Sequence, residues 1–105
     1  MIARVWHGRV RAERADEYLE YLERTGLKDL AATQGCGGLQ VLRRTEAGVT
    51  HYVLTTLWDS YEAIRRFAGD DYERARYYPE DDDFLLEREP GVLHYEVLLT
   101  DTHWG

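Results

Sequence analysis

The chain has 105 residues, of which 44% are hydrophobic and 31% charged, so we expect one globular domain over residues 1–105 with a single core. Its 20 acidic and 13 basic residues give a net charge of -7, which opposes binding to nucleic acid or to anionic membrane surfaces. There is neither a membrane-spanning run nor a signal-peptide pattern, and the single cysteine, Cys36, cannot form an internal disulfide, so the expected location is the cytoplasm.

The first predicted elements are a strand over residues 2–10 and a helix from Glu13 toward Leu30. The strand carries bulky side chains on both faces, which predicts neighbours on both sides of the sheet. The helix is amphipathic, because apolar residues recur at three- and four-residue spacing, and Gly26 is predicted to loosen its last turn.

A glycine-rich stretch, residues 34–38, follows the helix and leads into a strand over residues 39–45. A phosphate loop would lead from a strand into a helix, so this stretch is interpreted as a turn and Cys36 as an idle thiol. The short link Glu46-Ala47-Gly48 predicts a hairpin to a second strand over residues 49–57.

That strand runs directly into a helix at Trp58, with Asp59 as the predicted N-cap and Glu62 completing a capping box. A further helical turn or two over residues 71–76 should end at Pro79. The acidic residues 80–83 predict a solvated turn rather than a metal site, because adjacent carboxylates diverge. A last, well-buried strand is expected over residues 92–99, before a polar tail that ends in Trp104.

The order strand, helix, strand, strand, helix, strand predicts a ferredoxin-like βαββαβ fold of the α+β class, with two helices on one face of a four-stranded antiparallel sheet. Trp6, Tyr52 and Trp58 share even positions of their strands, and we expect that face to be the one the helices leave open. A second sheet would then have to cover it.

The chain resembles the antibiotic biosynthesis monooxygenase group of dimeric α/β-barrel proteins. The resemblance is carried by Met1-Ile-Ala-Arg-Val-Trp-His-Gly8, Leu57-Trp-Asp-Ser-Tyr-Glu-Ala63 and Phe67-Ala-Gly-Asp-Asp71. It implies a homodimer in which two sheets face each other as a barrel. It directs the face of Tyr52, Leu54, Thr56 and Trp58 into that barrel, and so makes Trp58 a lining residue.

The same resemblance implies oxidation of aromatic compounds without metal or flavin. The family tryptophan matches Trp58, but Leu54 replaces the asparagine four residues before it. The haem-degrading branch has an asparagine, a tryptophan and a histidine where this chain has Trp6, Phe67 and Tyr77. We therefore expect no haem or other cofactor.

The chain has four histidines, His7, His51, His94 and His103, but no pair at metal-ligand spacing, so no metal site is predicted. Our candidate catalytic residues are Trp58, Tyr52 and His94, with His94 as general base. Candidate ligand-binding residues are Trp6, Phe67, Tyr77 and Tyr78, whose rings could line a pocket for a small apolar or aromatic ligand. The alternative for each is structural: a core aromatic, or a histidine fixed by hydrogen bonds.

Two functions remain open from the sequence. One is a cofactor-independent monooxygenase acting on a small aromatic or polyketide-like compound. The other is a non-catalytic dimer that binds a small ligand or serves in stress response.

Overall fold

The computed structural model describes residues 1–101, so the predictions for His103 and Trp104 lie outside the described residues. The strands are β1 (Ile2–Arg11), β2 (Cys36–Glu46), β3 (Val49–Trp58) and β4 (Leu93–Glu96); the helices are α1 (Ala15–Arg24), α2 (Gly26–Ala32), α3 (Tyr61–Ala68) and the short α4 (Asp81–Phe84). The strands form an antiparallel sheet in the order β2-β3-β1-β4. The predicted ferredoxin-like α+β fold is confirmed.

Two of the predicted local features match and two do not. The first helix is broken at Thr25, next to the glycine that was predicted to loosen it, and the hairpin turns through Ala47 and Gly48, which have φ of 52° and 79°. The N-cap of α3 is Ser60, whose hydroxyl accepts from the Ala63 N–H at 3.1 Å, and not Asp59. Residues 71–76 are irregular and not helical, because their carbonyls bond to other parts of the chain.

The sheet face that packs under the helices is the one we expected to be open, so that prediction was wrong. Tyr52 and Trp58 are completely buried, with Tyr52 against Tyr18 of α1 and Trp58 against Leu30 of α2 and Ile64 of α3. The even positions of β1 and β3 include the largest apolar side chains of these strands. The apolar stripes of α1 and α3 pack against this face, so the apolar surfaces of the sheet and of the helices are buried together. Trp58 therefore lies under the helices and not, as predicted, on the face that a second sheet could cover.

The open face of the sheet carries the odd-numbered residues of β1, β3 and β4. Among its apolar side chains are Ala3, Val5, Leu42, Val53, Leu57, Leu93 and Tyr95. The prediction that the last strand is well buried was wrong, since Leu93 and Tyr95 are 59% and 53% exposed. β4 lies at the sheet edge and pairs only with β1, so one side of it has no neighbouring strand among residues 1–101.

A long connection, residues 69–92, runs from α3 to β4 and contains α4 as its only helix. Hydrogen bonds tie it to the rest of the chain: the Leu86 N–H donates to the Arg9 carbonyl at 2.9 Å, and the Glu80 N–H donates to the Tyr21 hydroxyl at 3.1 Å. We call residues 69–92 the covering segment. No helix in residues 1–101 is long and apolar enough to cross a membrane.

Candidate functional site

A cavity of about 50 Å³ lies between the helix-facing side of the sheet and the covering segment. Its walls come from β1, β3, α1, α2, α3 and the covering segment, so every layer of the fold contributes. The lining residues are Arg4, Trp6, Tyr18, Leu22, Gly26, Leu30, Leu54, Thr56, Phe67, Arg76, Tyr78 and Asp81. The cavity is mainly apolar and aromatic, with a few charged groups, as small-molecule sites generally are.

The size of the cavity limits what it can hold in this conformation. Sites for drug-sized ligands usually have ~300–1,000 Å³, several times more than is present here. A ligand with an aromatic ring therefore enters only if part of the wall moves. The covering segment supplies Arg76, Tyr78 and Asp81 and has less regular secondary structure than the other parts of the wall.

Three of the predicted ligand-binding residues line this cavity: Trp6, Phe67 and Tyr78. The fourth, Tyr77, packs edge-on against Trp6 with ring centroids 6.3 Å apart, and its hydroxyl donates to the Glu89 carbonyl. Glycine is required at position 8, because any Cβ there would collide with the Trp6 ring.

Arg4 is the cation most deeply placed in the cavity wall, with only 4% of its surface exposed. Nη1 donates to the Tyr72 carbonyl and, at 3.1 Å, to Nε2 of His94, while Nη2 donates to the Arg74 carbonyl at 3.2 Å. No ion pair within residues 1–101 involves Arg4. Burial lowers the pKa of Arg4 to about 10, so the side chain remains cationic at neutral pH.

His94, the predicted general base, lies beside Arg4 on β4. A guanidinium can only donate, so Nε2 of His94 accepts and its proton sits on Nδ1. Burial, reinforced by the charge of Arg4, lowers the pKa of His94 and keeps the imidazole neutral. The lone pair of His94 Nε2 accepts the hydrogen bond from Arg4. This geometry therefore suits His94 to holding the guanidinium in place.

Asp81 is the carboxylate of the cavity wall, and sequence reasoning assigned it only to a solvated turn. It is 3% exposed and accepts from the Tyr18 hydroxyl at 2.9 Å and the Tyr78 N–H at 2.6 Å. Burial raises the pKa of Asp81 despite these hydrogen bonds. A buried carboxylate with a raised pKa in a cavity is a candidate general base. The solvated-turn prediction was wrong for this residue.

The other two predicted catalytic residues do not reach the cavity. The Tyr52 hydroxyl donates to the Ala15 carbonyl at 2.6 Å, and the Trp58 indole N–H donates to the Thr56 hydroxyl at 2.8 Å. Both side chains are enclosed by the core clusters and neither contributes to the cavity lining. Their hydrogen bonds are satisfied within the protein, which fits a structural role.

The remaining described histidines lie on the opposite face of the sheet. Nε2 of His7 is 2.9 Å from Nδ1 of His51, and Nδ1 of His7 contacts the Glu89 carboxylate. Within residues 1–101, no group of three or more potential ligand side chains is arranged to hold a metal ion.

The family model for the antibiotic biosynthesis monooxygenases matches residues 1–77. Since this match covers well over half of the chain, the protein belongs to that family. None of the curated proteins compared with the chain matches its sequence.

Solved structures similar to this one include a Bacillus cereus protein named as an antibiotic biosynthesis monooxygenase, with a TM-score of 0.66, 17% identity and 96% of each chain covered. A similarly named protein from Nitrosomonas europaea has a TM-score of 0.66 and 14% identity, with 94% of this chain and all of that one covered. The haem degrader MhuD of Mycobacterium tuberculosis, solved with two haems in its active site, has a TM-score of 0.57 and 22% identity, with 97% of this chain and 100% of that one covered. At these identities the likeness concerns the fold.

Haem does not fit the residues found here. The cavity is far smaller than a porphyrin needs, and Tyr77, the axial-ligand position implied by the resemblance, does not line it. Burial also raises the pKa of Tyr77, which opposes the tyrosinate form that would ligate iron.

Proposed function

We propose that the protein binds a small aromatic compound in the cavity between sheet and helices and oxidises it as a cofactor-independent monooxygenase. The observation that carries this proposal is that the cavity combines aromatic walls with a buried carboxylate, Asp81, and a buried cation, Arg4. Membership of the monooxygenase family supports the type of reaction. The substrate would have a C–H or O–H group acidic enough for Asp81 to deprotonate.

In the proposed reaction the substrate itself supplies all the electrons. Asp81 removes a proton from a methylene group activated by neighbouring rings and a carbonyl, and the resulting carbanion is delocalised as an enolate. The enolate transfers electrons to oxygen and forms a carbon-bound peroxide anion, which takes the proton back from Asp81 and becomes a hydroperoxide. Loss of water from the peroxide leaves a ketone, so one oxygen atom enters the product and the other leaves as water. The conversion of methylene to carbonyl is a four-electron oxidation, which balances the reduction of oxygen.

Three aromatic residues of the cavity wall have a part in this scheme beside Asp81. Trp6 and Phe67 offer ring faces and edges against which a flat substrate can be oriented, and the apolar surroundings strengthen the effect of nearby charge on the enolate. The Tyr18 hydroxyl, which donates to Asp81, holds the carboxylate in position. Its own pKa is raised, chiefly by burial, so it stays protonated as a donor.

A second candidate function is binding without turnover. Leu54 lines the cavity where the family resemblance places an asparagine, so one amide donor to a developing oxyanion is lacking. A protein that only captures a small aromatic ligand would need the cavity but not the carboxylate.

Oxygen uptake in the presence of anthrone, which has such a methylene group, tests the proposal. We expect saturable uptake above the rate without protein, a one-to-one yield of anthraquinone, and at least about a hundredfold loss of rate in Asp81→Asn. Asp83→Asn, an exposed neighbour in the same turn, is the matched control and should keep the parent rate. Saturable binding without uptake would support the binding function; neither binding nor uptake across a panel of phenols and anthrones would contradict both.

We also expect a homodimer through the open face of the sheet. Leu42, Leu93 and Tyr95 are each about half exposed on that face, and a second sheet would bury them. Light scattering should give twice the mass of the 12.3 kDa chain. Leu42→Glu should give a monomer, while Ala31→Glu, which adds the same charge on exposed helix surface, should remain dimeric. A monomeric parent protein at micromolar concentration would contradict this prediction.

A further inference from the structure

Arg4, the second charged group of the cavity, has no carboxylate partner among the described residues of the chain. A buried charge normally has an ionic partner, because removing an ion from water is costly. Arg4 is nearly enclosed, yet its described partners are two backbone carbonyls and a neutral imidazole. Among residues 1–101 it therefore has dipoles around it but no counter-ion.

Arg76, the other arginine of the cavity wall, shows the contrast. Its Nη2 lies 3.2 Å from the Asp29 carboxylate, and its guanidinium stacks on the rings of Phe67 and Tyr78 at 4.7 and 4.9 Å. The charge of Arg76 is thus met within the protein, although it is more exposed than Arg4. Of the two arginines, the more deeply buried Arg4 is the one that has no anionic partner among the described residues.

The unused hydrogen-bond donors of Arg4 indicate what kind of anion would fit. A guanidinium has five N–H groups, and the three described bonds leave the Nε–H and one N–H of Nη2. Nε and Nη2 are the nitrogens through which Arg9 holds the Glu87 carboxylate and Arg88 holds that of Asp82. A carboxylate has two oxygens at the spacing of these two nitrogens, so it can accept from both at once.

We propose that Arg4 is the binding residue for a carboxylate group on the ligand, so that the natural ligand is a small aromatic carboxylic acid. This inference rests on the proposed function, since it uses the same cavity. The aromatic ring packs against Trp6 and Phe67, and the carboxylate lies against the guanidinium. His94 and the two carbonyls hold the guanidinium in a fixed orientation, because they occupy its other donors.

Calorimetric titration with benzoate and benzamide tests the inference, since the two probes have the same ring and nearly the same shape but differ in charge. We expect benzoate to bind the parent protein at least tenfold more tightly than benzamide at neutral pH. Arg4→Gln should weaken benzoate binding at least tenfold and leave benzamide binding within about twofold. Arg4→Lys should fall between the parent and Arg4→Gln, since it keeps the charge without the paired donors.

Arg9→Gln is the matched control. It removes the same charge from the same strand, but Arg9 lies on the opposite face of the sheet and pairs with Glu87. Benzoate affinity should be unchanged in this variant, which separates a local contact from the effect of net charge.

The outcomes separate the carboxylate subsite from the proposed function. Equal affinity for benzoate and benzamide would overturn the subsite and leave the cavity as a neutral aromatic site. Anthrone oxidation by a protein that binds neither probe would also overturn it while supporting the reaction. Absence of binding and of turnover would overturn both. If Arg4→Gln does not fold, the comparison of the two probes in the parent protein and in Arg4→Lys decides.

Discussion

Replacing Trp58 with alanine should lower the free energy of unfolding by about 3–5 kcal/mol, the usual cost of truncating a large buried aromatic residue. Its indole is fully buried between Ile2, Leu30 and Ile64, and its ring centroid lies 6.1 Å from that of Phe67. Truncation leaves a large void between the sheet and α3 that neighbouring side chains cannot fill. It also leaves the Thr56 hydroxyl without the indole N–H that donates to it. Urea denaturation followed by circular dichroism measures the effect.

The conservative variants distinguish this core role from a role in binding. Trp58→Phe should lose about 1–2 kcal/mol of stability and keep the parent affinity for aromatic ligands, because Trp58 does not line the cavity. Trp6→Phe is the comparison: Trp6 is only partly buried and does line the cavity, so this variant should change affinity more than stability. The opposite pattern, with Trp58→Phe stable but unable to bind, would contradict the position of Trp58 in the core.

The order of the strands and of the two main helices could be predicted because most of these elements have a clear local signal. The alternation in β1 and β3, the helical spacing in α1 and α3, and the short link at Ala47 and Gly48 each reflect backbone geometry over a few residues. Together these signals specify a ferredoxin-like fold, and the structure has that topology.

The choice of buried face could not be predicted in the same way. A strand with apolar residues on both faces has the same two-residue period whichever face is inside, so its pattern does not say where the helices pack. In β3, Val53 and Leu57 on the open face are at least as apolar as Tyr52 and Trp58 on the buried face. Only the fit of the larger side chains against α1 and α3 decides, and that fit depends on contacts between distant parts of the chain.

The candidate site was predictable in its aromatic part and not in its charged part. The sequence predicts Trp6, Phe67 and Tyr78 as rings that could line a pocket, and all three line the cavity. Asp81 stands in an acidic run that resembles solvated surface, and its burial depends on Tyr18, 63 residues away. Arg4 did leave a sequence signal: it is a charge between Ile2 and Trp6 on what proved to be the inward face of β1.

The second large effect is expected at Asp81, which fastens the covering segment to α1. Asp81→Ala removes the acceptor of both the Tyr18 hydroxyl and the Tyr78 N–H, and should lower the free energy of unfolding by about 3 kcal/mol, since buried donors bonded to a carboxylate are costly to leave unpaired.

Because burial raises the pKa of Asp81, the folded state keeps the carboxyl proton of Asp81 to a higher pH than the unfolded chain does. The proton-linked part of the contribution of Asp81 to stability is therefore fully present below its unfolded pKa and is lost as the pH rises through its folded pKa. The stability difference between the parent protein and Asp81→Ala should accordingly grow as the pH is lowered from about 7 to about 4. Urea denaturation across this range measures it, with the exposed Asp83→Ala as a control that should stay within about 0.5 kcal/mol of the parent protein. Equal stability of Asp81→Ala and Asp83→Ala would show that the Asp81 carboxylate does not hold the covering segment against α1.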